Sequence, residues 1–124
     1  MRLPRAKLVP TKFQGGRQFF RLAEPYFLDL NGAIRLTLTV PAGFETDFAS
    51  VPRLLWPLFP PTGPWLEASI VHDFCYSGQV PFSRFLADAL FRELMKLYGV
   101  PLWRRVLMYY AVRLFGWLWW RKSR

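Results

Sequence analysis

The sequence predicts an α+β chain, a small antiparallel β-sheet followed by three to four helices, on the strength of three observations. Apolar and polar residues alternate from Ile34 to Val40, the two-residue period of a strand with one wet face. Asn31-Gly32 separates two extended runs, and its backbone suits a two-residue hairpin turn. Beyond Ser50 the apolar spacing lengthens to three and four residues, the period of a helix.

Taken in order, Arg17 to Leu22 supplies a strand, Tyr26 to Val40 the hairpin, and Phe44 to Asp47 a short strand after the turn at Pro41-Ala42-Gly43. These strands form one sheet in a β-rich part, residues 1–48. Residues 49–100 form the helical part. Ser50 is a good N-cap and Pro52 fits a first turn, so a short helix is expected through Leu54, Leu55 and Trp56 until Pro57 ends it. The run Phe59-Pro60-Pro61-Thr62-Gly63-Pro64 reads as a rigid loop. A helix from about Trp65 to Tyr76 gathers Ala68, Val71, His72, Cys75 and Tyr76 on one face. Another, Phe82 to Tyr98, aligns Phe85, Asp88, Phe91, Arg92 and Met95, with Gly99 and Pro101 as its stop. Residues 101–124 give a basic, aromatic C-terminal helix, Leu102 to Trp120, interrupted by Arg104, Arg105 and Arg113. It is short for a bilayer span of about 20 apolar residues. It reads instead as an amphipathic helix that packs on the domain, lies in a membrane interface or meets a partner.

One domain is expected, since 124 residues can bury most of their apolar surface without cross-links. The single Cys75 forms no intramolecular disulfide, and Met1 to Lys12 carries no apolar run of signal-peptide length, so an intracellular setting is expected. The 17 Lys and Arg against 8 Asp and Glu leave a net charge of +9, which favours an anionic partner. Because four of the six tryptophans gather toward the C-terminus, an anionic membrane surface or another protein is preferred and nucleic acid ranks last.

The residues with chemical potential are His72, Asp73, Tyr76 and Asp88, on two consecutive helices. His72 is the one histidine, so no His-rich zinc site can form. A lone helical histidine is commonly a hydrogen-bonded packing residue. Asp88, however, falls in an apolar stripe where an unpaired carboxylate is costly. Its partner is either Arg84 or Arg92, one turn away on its own helix, or the ring of His72 across the seam. Asp47, at a strand end before Ser50, is either a cap for the short helix or a second acidic ligand. Cys75 reads as a small buried hydrophobe. Trp117, Trp119 and Trp120 read equally as a core or subunit contact and as a membrane anchor.

Val71-His72-Asp73-Phe74-Cys75-Tyr76 resembles the His-Asp-x-Cys-Tyr motif of the phospholipase A₂ superfamily, and Arg84-x-x-x-Asp88-x-x-Phe91 resembles its second, Asp-bearing helix. The resemblance covers roughly Gly63 to Phe91. It implies that His72 is a general base toward water, that Asp88 orients its ring, that Asp73 helps hold Ca²⁺ and that Tyr76 supports the pair. An imidazole is suited to proton transfer near neutral pH, and a carboxylate on its other nitrogen fixes the tautomer.

Over nearly the whole chain the sequence is similar to a phage- and prophage-encoded family of unknown function. The likeness is carried by Phe44-x-Thr46-Asp47-Phe48-Ala49-Ser50-Val51-Pro52-Arg53, the His72-Asp73 helix, Ala87-Asp88-x-x-Phe91 and Met108-Tyr109-x-Ala111-Val112-Arg113-x-Phe115-Gly116. The combined expectation is a phage-encoded hydrolase that activates water for ester or amide hydrolysis at a membrane surface. Its setting would be the cytoplasm of an infected bacterium, the periphery of the inner membrane, or the virion. The alternative is a noncatalytic virion or tail component, or a membrane-docking accessory, that meets other phage proteins.

Overall fold

A computed structural model of the chain describes residues 3–32, 34–46, 64 and 66–122. Asp47, the expected helix after Ser50, most of the proline-rich loop and Trp65 lie outside the described residues. The architecture is α+β, in two compact units, residues 1–47 and 48–124.

In the first unit, strands β1 (Leu8–Gln14) and β2 (Arg17–Leu22) form an antiparallel pair that opens from Gln14 opposite Arg17. The turn between them is Gly15-Gly16, with φ of 62° and 75°. Two successive positive φ values define the tight hairpin turn that side chains disfavour, so this glycine pair sets the corner. A register shift falls between Pro10 and Phe13, and Pro10, which has no N–H to donate, sits on an edge strand. Strand β5 (Glu45–Thr46) pairs with the other side of β2.

Strands β3 (Tyr26–Asn31) and β4 (Arg35–Val40) make a separate two-stranded sheet, so the described strands form two sheets where one was expected. Their hairpin is present, but Asn31 pairs with Arg35, which leaves three residues, 32–34, in the loop instead of the expected two. Side-chain burial explains the register. As built, Tyr26, Leu28 and Leu30 lie opposite Val40, Leu38 and Leu36. A two-residue turn at Asn31-Gly32 would set Leu28 opposite Arg35 and Tyr26 opposite Thr37, so matching the apolar faces overrides the turn dipeptide.

In the second unit, α1 (Leu66–Tyr76) packs on α2 (Arg84–Leu97), and α2 on α3 (Leu102–Phe115). Helix α2 begins where the Ser83 hydroxyl accepts from Leu86 N at 3.0 Å. It ends in paired bonds, Gly99 N to Lys96 O and Val100 N to Met95 O, around Gly99 at φ 88°. The last helix is divided at Gly116 from α4 (Trp117–Lys122). Along α2, Ala87, Asp88, Leu90, Phe91, Leu94 and Met95 are buried, whereas Phe85 and Arg92, placed by periodicity on the same stripe, face outward. No helix among the described residues is long and apolar enough to cross a membrane.

Candidate functional site

The seam between α1 and α2 brings His72 and Asp88 together, as their helical spacing predicts. His72 Nε2 and Asp88 Oδ1 are 2.6 Å apart, and neither side chain is exposed. Tyr76, one turn after His72, donates its hydroxyl hydrogen to the same oxygen at 2.6 Å. Arg113 Nη1 reaches from α3 to Asp88 Oδ2 at 2.8 Å, and Arg84 Nη1 lies 3.5 Å from that oxygen. Arg84 further donates to the Val112 and Arg113 carbonyls, closest from Nη2 to Arg113 at 2.7 Å. These carbonyls lie in the last turn of α3, where Val112 O also accepts from Gly116 N, so Arg84 ties the start of α2 to the end of α3. One carboxylate thereby joins three helices.

Of the two arginines that the sequence offers Asp88, Arg84 belongs to the cluster. Arg92 does not: its guanidinium lies over the Tyr109 ring, 4.8 Å from the centroid. Arg113 is the residue that sequence reasoning misses, because it reads there only as an interruption of an apolar helix. The signal was nonetheless present: a guanidinium in an apolar run needs a counter-charge as much as Asp88 needs a cation.

Burial works to raise the pKa of Asp88, but the His72 hydrogen bond and charge, with the hydrogen bonds from Tyr76 and Arg113, outweigh it and hold the carboxyl below its ordinary 3.8. The group is therefore an anion, and His72 Nε2 carries the hydrogen that it accepts. Burial first, and then the hydrogen bond and charge of Asp88, push the Tyr76 hydroxyl far above its usual range. Burial pushes the Cys75 thiol up to about 12, in keeping with its reading as a small hydrophobe.

An imidazole that donates from Nε2 to Asp88 carries its lone pair on Nδ1 whenever it is neutral. That atom is buried and has no hydrogen-bond partner among the described residues, and Ser69 Oγ shares this condition. The two residues are three apart on α1 and so lie on one face of it. The imidazole itself is packed by the rings of Tyr76 and Phe91, with centroids 4.2 and 4.6 Å away. Tyr76 also meets Trp120 edge-on at 5.2 Å, whereas Trp117 is exposed, which divides the tryptophan cluster between contact and surface.

Asp73, next to His72 on α1, is half-buried. Among the described residues no group of three or more His, Cys, Asp or Glu could hold a metal ion. One groove on this unit is lined by residues of α2 and α3 and another by residues of α3 alone, and His72 is not among them.

These features define an α+β protein whose helical unit is organised on one buried histidine, carboxylate and arginine cluster. The chain belongs to the family described as "Protein of unknown function (DUF1353)", which matches residues 20–112. That stretch holds His72, Tyr76, Arg84 and Asp88 and stops one residue before Arg113. An uncharacterized protein of Sinorhizobium fredii (strain NBRC 101917 / NGR234), y4jT, is 37% identical over 106 residues, covering 81% of this chain and 30% of that protein. The chain therefore spans less than a third of that relative's length. No solved structure matches the chain.

Proposed function

We propose that the chain is a phage- or prophage-encoded hydrolase that activates water at His72 Nδ1 for attack on an ester or amide, in the manner of the phospholipase A₂ dyad it resembles. The reading is carried by one observation: Nε2 is bound to a carboxylate while Nδ1, the atom that would take a proton, has no partner among the described residues. A water between Ser69 Oγ and His72 Nδ1 would lose its proton to Nδ1 as its oxygen attacks the carbonyl carbon. Asp88 would stabilise the imidazolium formed, and Tyr76 and Arg113 would keep Asp88 ionised and in place. The proton then passes to the leaving group as its bond to that carbon breaks.

Asp73 would supply an acidic ligand for Ca²⁺ under the same resemblance. The described residues include no group able to hold a metal, so no step above runs through calcium. The ion enters as a variable of the assay.

A second reading, a noncatalytic virion or tail component, is favoured by the complete burial of His72 and Asp88. In that reading the cluster only holds three helices together. Turnover of phospholipids and simple esters, with and without calcium, by the wild type and by His72→Gln separates the two. Hydrolysis that His72→Gln abolishes while the melting temperature stays near the wild-type value supports the base. No turnover above that variant, together with a substantially lower melting temperature, leaves the cluster structural.

A further inference from the structure

Helix α3 buries Met108, Ala111 and Val112, yet it also carries a second apolar face turned away from them. Its basic Arg104 and Arg105 are half-buried, and Arg105 Nη1 donates to Val100 O at 2.9 Å. Its outward face is apolar: Leu102, Trp103 and Tyr110 are 65%, 59% and 59% exposed, and Val106, Leu107 and Leu114 lie on the same side. A contiguous apolar face of this kind marks a surface that something covers.

The charge beside it indicates what that is. An open groove of about 550 Å³ is lined by Leu102, Trp103, Val106, Leu107 and Tyr110. A second, of about 320 Å³, shares Leu102 and Val106 with it and adds Arg92, Lys96 and Arg105 against the single acid Glu93. After Glu93 the sequence contains no Asp or Glu, while Lys96, Arg104, Arg105, Arg113, Arg121, Lys122 and Arg124 all follow. Trp103, with the Arg104 guanidinium 5.0 Å from its ring centroid, and Tyr110 supply the amphipathic rings that settle at the level of lipid headgroups. A second copy of this chain would bring basic groups against basic groups across the face. An anionic bilayer meets both the apolar residues and the cations.

We infer that α3 docks the chain onto anionic lipid bilayers, lying in the interface with Leu102, Trp103, Val106, Leu107, Tyr110 and Leu114 among the acyl chains and Arg92 and Lys96 at the headgroups. This docking is independent of whether His72 is a base.

The test is co-sedimentation of the chain with vesicles of phosphatidylcholine alone and of phosphatidylcholine with phosphatidylglycerol. Partitioning should be at least about tenfold stronger on the anionic vesicles and should fall as salt is raised. Leu107→Asp, at an exposed position, should lower it about tenfold or more with an unchanged melting temperature, and Arg92→Glu with Lys96→Glu should remove the preference for anionic lipid. His72→Gln should bind as the wild type does, so loss of docking and loss of catalysis are read separately. Equal binding to both vesicle types overturns the inference. So does a concentration-dependent dimer that Leu107→Asp disperses and that ignores vesicles, because a second copy then covers the face.

Discussion

Replacing Asp88 by asparagine keeps the outline of the side chain and removes the charge on which the cluster converges. The amide oxygen can still accept from His72 or Tyr76, but the amide NH₂ then faces the Arg113 guanidinium, donor against donor. Arg113 and Arg84, whose side chains are 30% and 18% exposed, lose their counter-charge together. Removing one partner of a buried pair costs roughly 3–5 kcal/mol, and the partial exposure of both arginines favours the lower end, about 3 kcal/mol. At about 4 °C per kcal/mol for a domain of this size, the melting temperature at neutral pH should fall by roughly 10–15 °C, as followed by circular dichroism. The pH dependence gives a second check. Because the folded-state pKa of Asp88 is depressed, the wild type holds this stabilisation above the ordinary value of 3.8 and loses it as pH falls from there through the lower folded value. The gap between wild type and Asp88→Asn should therefore close on acidification. A gap under about 3 °C at neutral pH, or one that widens in acid, would refute the assignment of Asp88 as the ionised centre.

Tyr76→Phe keeps the ring against His72 and Trp120 but removes a donor to a charged acceptor, and thermal unfolding should show a loss of about 1.5–3 kcal/mol. Cys75, buried and with its thiol pushed up to about 12, should be silent to a thiol-exchange reagent at neutral pH and react fully once the chain is denatured. Gly116→Ala would press a methyl group into the Val112 carbonyl oxygen and within 2.6 Å of the Tyr76 hydroxyl. At φ −63° the backbone itself accepts alanine, so the expected loss of about 1–3 kcal/mol arises from crowding and should be partly relieved in the double variant with Tyr76→Phe.

The readings that rest on periodicity hold best, because burial enforces them. The alternation of β4, the two helices flanking the seam and the meeting of His72 with Asp88 all follow from which side chains must leave water. Where two local rules compete, the sequence does not announce the winner, as in the β3–β4 loop. Strand β1 is missed because Pro10 breaks its run, although Gly15-Gly16 is itself a hairpin signal. The third helix of the cluster escapes detection for a different reason. Arg113 is 25 residues from Asp88, and nothing local says that α3 folds back with this arginine turned toward α2.

All of α1 except Leu66 and Asp73 is buried, so the helix that carries His72 has almost no wet side. In a helix so enclosed, small fluctuations do not expose an amide, and its hydrogens exchange with deuterium only through larger openings of the structure. The slowest-exchanging amides of the helical unit should thus be those of residues 68–76. Any water that reaches the imidazole by way of α1 has to use those rare openings. Turnover faster than the exchange of the α1 amides would show that water reaches the imidazole without those openings.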